Sequence, residues 1–208
     1  QCRRTCRVLE RPFVRRPPFE LSKWYFDCVT DDGQTFIGYA GALRWKSLAM
    51  HYQSSLVHSY LKGTRTRFSL RKIQPPSVSG ATLHWKSPPL QVEGTWKALE
   101  QPVRATILES HAGAIDWHCL QPRATAIVRI GKAAAVCGLG YAEHLHMTIP
   151  PWRIPLQELR WGRFLSEMHS LVWIDWRGPY SKRVVFHNGA EVHAESITEQ
   201  HVVLKGQD

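Results

Sequence analysis

Residues 24–39 read Trp24-Tyr25-Phe26-Asp27-Cys28-Val29-Thr30-Asp31-Asp32-Gly33-Gln34-Thr35-Phe36-Ile37-Gly38-Tyr39. An aromatic-rich run stops at Asp31-Asp32-Gly33 and resumes in the same style at Thr35, which predicts a strand, a tight turn and a hairpin partner. Working outward, residues 42–52 and 54–60 continue the pattern, and residues 64–70 alternate Arg65 and Arg67 with Thr66 and Phe68. Pro75-Pro76 and Pro88-Pro89 bracket a short strand with Leu83 and Trp85. Further strands are expected over 103–109, 114–120, 124–130, 133–148, 171–176, 183–187, 191–194 and 202–204. Only residues 156–163, opened by Pro155, suit a short helix, and they suit a strand nearly as well. Regular turns with few helix-length periodic windows predict an all-β, antiparallel sandwich or barrel.

The weakest composition boundary lies at 100–102. It divides the chain into a basic Pro/Arg-rich arm (1–18), an N-terminal β half (19–100) and a C-terminal β half (101–208) that carries the candidate site. The 208 residues suffice for a core without staples. No apolar run is long enough to span a membrane. The formal charge of +10 is uneven, because residues 1–16 hold six arginines against Glu10. That distribution is a solvated arm and a candidate for weak membrane-surface contact; it lacks the concentrated patch of a nucleic-acid binder. Five cysteines at irregular spacing describe no disulfide framework. With no apolar h-region at Gln1-Cys2-Arg3-Arg4, they point to a reducing, cytoplasmic setting. Cys28, Cys119 and Cys137 read as small buried apolar residues.

Alternation along a strand assigns the chemistry-bearing residues to faces. In Gly138-Leu139-Gly140-Tyr141-Ala142-Glu143, one face carries Leu139, Tyr141 and Glu143. The other carries only tiny residues, as expected where another backbone comes close. A carboxyl group facing an apolar interior is disfavoured in its charged form and can serve as a general acid. The plainer reading is an outward Glu143, or one paired with an arginine. Asp27 shares a face with Tyr25, and Asp175 with Leu171 and Trp173; Arg–carboxylate pairs are the ordinary outcome for such buried acids. His144 and His146 form an HxH pair, but nothing else has ligand spacing, so no metal is expected. No P-loop, dinucleotide fingerprint or Gly-x-Ser-x-Gly elbow is present.

Three segments together carry a resemblance. Trp24-Tyr25-Phe26-Asp27 before Asp31-Asp32-Gly33, then Gly138-Leu139-Gly140-Tyr141-Ala142-Glu143, then Trp161-Gly162-Arg163 with Trp173-Ile174-Asp175-Trp176, resemble the lipocalin-like carotenoid 1,2-hydratase (hydroxyneurosporene synthase) and AttH-like superfamily. The resemblance implies a lipocalin-like (calycin-type) barrel, or two barrel-like halves, around an apolar cavity with no cofactor. It implies acid-assisted hydration, cyclisation or isomerisation of a hydrophobic, isoprenoid- or polyene-like ligand, the work of a lyase or an isomerase. Glu143 matches the acid and Tyr141 the neighbouring tyrosine, although the hydratases carry Asp at the position of Glu143. Trp117, Trp161, Trp173, Asp175, Tyr25 and Asp27 are the candidate substrate-binding residues. The alternative is a lipocalin-like protein that holds the same hydrophobic small molecule without altering it.

Overall fold

The computed structural model describes residues 17–206; the basic arm, apart from Pro17 and Pro18, lies outside the described residues. The chain opens with a meander of β1 (Phe19–Val29), β2 (Thr35–Trp45), β3 (Leu48–Ser59) and β4 (Gly63–Ser69). There follow β5 (Ser77–Ser79), β6 (Thr82–Ser87), β7 (Val92–Ala98), β8 (Val103–Ser110), β9 (Gly113–Ile130) and β10 (Val136–Met147). The remaining strands are β11 (Glu158–Leu165), β12 (Ser170–Arg177), β13 (Lys182–His187), β14 (Ala190–Glu191), β15 (Ala194–Ile197) and β16 (Val202–Leu204). The architecture is all-β and every pairing is antiparallel.

The decisive turn forms as its residues dictate. Gly33 adopts a φ of 78°, and the Thr30 hydroxyl accepts from the Gln34 amide at 2.8 Å. Residues 42–52 do not run straight through, however. They break at Lys46-Ser47, where Lys46 takes a φ of 54°. Residues 158–165 form a strand rather than a helix.

The large sheet runs β4-β3-β2-β1-β10-β9-β7-β6-β5. Hydrogen bonding is continuous past residue 100, since β9 pairs with β8 along its first half and with β7 along its second. Pro122 lies in the gap between these two partners, where the ladder asks for no N–H, and the register with β10 shifts beside it. β11–β14 form a second sheet, and β15 pairs with β16.

β1, β9 and β10 are a shared wall with a core on each face. One face supplies Phe26, Ala126 and Ala142 to a core filled by Trp85 and Trp96. Phe26 stacks on Trp85 at 4.7 Å, and the Trp96 indole donates to the Asp27 carbonyl at 2.7 Å. The opposite face supplies Tyr25, Trp117 and Tyr141, over which the second sheet lays Val172, Ile174 and Trp176. Rings fill the centre of the first interior, whereas the second holds a larger space. Gly138 and Gly140 face the filled side: a Cβ on Gly138 would collide with the Val29 backbone and one on Gly140 with Ala126. Cys28 and Cys119 are buried as expected, but Cys137 is exposed. Among the described residues no layer covers its face at that end of β10, and its cross-strand neighbour Ile127 is exposed too.

Candidate active site

Between the large sheet and the second one lies a cavity of about 330 Å³. Its walls are mainly apolar and aromatic, with Tyr25, Tyr39, Trp117, Trp161, Ile174 and Trp176 prominent; Glu143 and Lys23 bring the charged groups. Tyr25 on β1 faces Tyr39 on β2 and Glu143 on β10 across the sheet, so register alone gathers the acid and two phenols. Tyr25 also packs edge-on against Trp161 at 5.5 Å, tying the wall to β11.

Glu143 is held by neutral donors. The Trp117 indole N–H donates to its Oε2 at 2.6 Å, and the Tyr141 hydroxyl donates to the same atom at 2.7 Å. Among the described residues no hydrogen bond reaches Oε1, and Glu143 has no ion-pair partner. The other acids of the sequence reading meet arginines. Asp27, fully buried, contacts the Arg163 guanidinium at 2.5 Å. Asp175 meets Arg177 at 2.6 Å and Arg183 at 3.3 Å. Burial pushes the Asp27 carboxyl up to about 6, against the pull of Arg163. The same burial pushes the Tyr141 phenol well above its ordinary value, keeping it a proton-bearing donor to Glu143.

The structure brings Glu143, Tyr141, Trp117, Trp161 and Tyr25 together. Asp27 lies beneath them with Arg163, whose guanidinium carbon sits 5.5 Å over the Tyr141 ring. Two expected residues are elsewhere. Trp173 and Asp175 point away from the cavity because β12 turns Val172, Ile174 and Trp176 toward it. Trp173 lies across Gly162, where a Cβ would strike its indole; Asp175 opens onto a separate surface recess with Arg177, Arg183 and His193. Lys23, Tyr39 and Trp176 were not singled out from the sequence. Lys23 was legible as the i−2 neighbour of Tyr25, while Tyr39 and Trp176 needed the register and the sheet packing. Its ammonium lies 4.9 Å over the Tyr39 ring. His144 is half-buried on the other face, stacked on Trp24 and 2.6 Å from the Ser22 hydroxyl. Among the described residues, no three His, Cys, Asp or Glu side chains gather as a metal site.

No protein-family model matches the chain, and no curated protein does. Solved structures do. Kievitone hydratase from Nectria haematococca aligns with a TM-score of 0.51 at 11% identity, over 91% of this chain and 74% of its own. A protein described as putative AttH from Nitrosomonas europaea gives 0.48 at 7% identity, over 81% and 65%. CghA with Sch210972 gives 0.46 at 12%, over 84% and 60%. The chain thus spans less than two thirds of the last two proteins. The fold is that of kievitone hydratase, and the lipocalin-like resemblance read from the sequence holds at the level of the fold.

Proposed function

We propose that the protein is a cofactor-independent enzyme that protonates a carbon–carbon double bond of an apolar, isoprenoid- or polyene-like molecule, with Glu143 as the proton donor. The observation that supports this reading is that Glu143, alone among the acids discussed, faces an apolar cavity and has no ion-pair partner among the described residues, the Lys23 ammonium of the same cavity lying over the Tyr39 ring instead. An arginine would hold the carboxylate charged and engaged. Trp117 and Tyr141 instead donate to Oε2 and orient the carboxyl group, with Oε1 left toward the cavity.

In the hydration form of this chemistry, protonated Glu143 gives its proton to one alkene carbon and becomes a carboxylate. The cation formed at the other carbon is stabilised by the rings of Tyr25 and Trp161. A water oxygen then bonds to that carbon and returns a proton to Glu143, so the net change is addition of one water. If a second double bond of the same molecule attacks the cation, the outcome is cyclisation. The neighbour named a hydratase has this fold, which is compatible with the first course.

Molecules that co-purify with the protein, identified by native mass spectrometry, together with a panel of apolar alkenes, are incubated with it in D₂O. Deuterium bound to carbon in the product, reduced about 10²–10⁴-fold by Glu143→Gln, is the expected result. Ligands retained by the folded protein but recovered without deuterium would overturn the catalytic reading in favour of a carrier.

A further inference from the structure

The cavity is joined to an exposed patch of unusual composition. Trp45 and Trp152 meet edge-on at 5.3 Å, yet Trp152 is 64% exposed and Leu48 and Met50 are about half exposed. Lys46 holds its ammonium 5.5 Å from the Trp45 ring centroid, and Arg153 stands exposed beside Trp152. Neither residues 45–50 nor residues 151–156 contain an acid. The nearby Glu20 is taken by Arg44 at 2.8 Å.

The strand register carries this patch inward. Met50, Leu43, Leu21 and Met147 are successive cross-strand partners on β3, β2, β1 and β10, and Met147 lines the cavity. In the next row Gly41 stands between Lys23 and Tyr52. Having no side chain, it leaves a groove of about 250 Å³ that shares Lys23 and Tyr39 with the cavity. On the other flank, Ile154 and Leu156 line the cavity one turn beyond Trp152. The patch is therefore the outer rim of the apolar interior.

The described chain begins at the same rim. The Pro17 carbonyl accepts from Arg44 at 2.9 Å, and the Pro18 carbonyl from the Lys46 amide at 2.8 Å. Residues 1–16, with six arginines against one acid, join the chain at this point. Exposed indoles and leucine amid lysine and arginine, with an apolar track behind them, suit a lipid interface and do not suit the uniformly polar phosphate backbone of a nucleic acid.

We infer that the rim formed by Trp45, Lys46, Leu48, Trp152 and Arg153 docks on an anionic lipid surface, so that apolar molecules pass from the bilayer along the Met50–Met147 row into the cavity. The inference goes beyond the proposed reaction and does not depend on it.

The full chain is sedimented with vesicles of phosphatidylcholine alone and with vesicles containing a minority of phosphatidylglycerol. Association with the anionic vesicles that weakens with salt is expected. The triple variant Trp45→Ser, Leu48→Ser, Trp152→Ser and, separately, Lys46→Glu with Arg153→Glu should each weaken it about tenfold or more. Lipids brominated in their acyl chains should quench part of the tryptophan emission of the unaltered protein, a readout independent of any substitution. The inference is overturned if the unaltered protein sediments with neither vesicle, if the variants bind as it does, if brominated lipids leave the emission unchanged, or if it binds a single-stranded RNA but not the vesicles.

Discussion

The Trp117 indole nitrogen lies 2.6 Å from Glu143 Oε2, although 26 residues separate the two along the chain. The bond spans β9 and β10 diagonally, since Trp117 is registered with Leu145 and Glu143 with Cys119. It orients the carboxyl group across the cavity without bringing in a charge. In ¹⁵N-tryptophan-labelled protein, the Trp117 indole proton should resonate downfield and move upfield in Glu143→Gln. Tyr141→Phe, which removes the second donor from a buried position, should cost about 1.5–3 kcal/mol of unfolding free energy. An unmoved indole signal would sink this geometry.

The Asp27–Arg163 pair makes a different prediction. Asp27 titrates at about 6 in the folded protein against 3.8 in its ordinary state, chiefly because burial penalises its charge. Between those values the native state holds a proton that the unfolded chain releases. Stability from this group therefore falls as pH rises through the window, by about 3 kcal/mol in all. Asp27→Asn alone strands the Arg163 guanidinium and should cost about 3–5 kcal/mol. Adding Arg163→Met should recover much of that loss and remove the slope. Urea unfolding at a series of pH values measures both effects.

His144 contributes with the opposite sign. Burial first, and then the charges of His146 and His118, lower it from 6.5 to about 4. A depressed histidine contributes stability that is present above 6.5 and lost as pH falls toward 4. Its ring protons should titrate near 4 by NMR, and His144→Gln should lessen the acid-side loss.

Two glycines separate packing from conformation. Gly138→Ala drives a methyl into the Val29 carbonyl, which belongs to a paired strand and has no room to yield; a loss of about 1–3 kcal/mol is expected. Gly41→Ala meets nothing nearer than 3.9 Å and should stay within about 0.5 kcal/mol of the unaltered protein. Comparable thermal denaturation of the two variants would contradict the close backbone approach behind β10.

Much of the strand architecture was legible because it is local. The Asp31-Asp32-Gly33 turn follows from its turn-forming residues, and the small-residue face of 138–142 and the common face of Tyr141 and Glu143 follow from two-residue alternation. The Lys46-Ser47 turn escaped notice because a lysine with positive φ leaves no glycine or asparagine to mark it. Cys137 reads as buried because a free cysteine behaves as a small apolar residue, yet coverage depends on whether a second layer reaches that end of the strand.

Alternation sorts residues onto two faces of a strand but does not say what each face meets. The sequence by itself determined that Trp173 and Asp175 lie together, opposite Ile174 and Trp176. Only the packing of the second sheet decided that Ile174 and Trp176 face the cavity. The same holds for the acids: composition supplied arginines enough for every buried carboxylate, and tertiary contacts gave Arg163 to Asp27, Arg177 and Arg183 to Asp175 and, among the described residues, none to Glu143. Which partner a charge meets is set by side chains brought together across sheets from distant parts of the chain, a relation that no local spacing encodes.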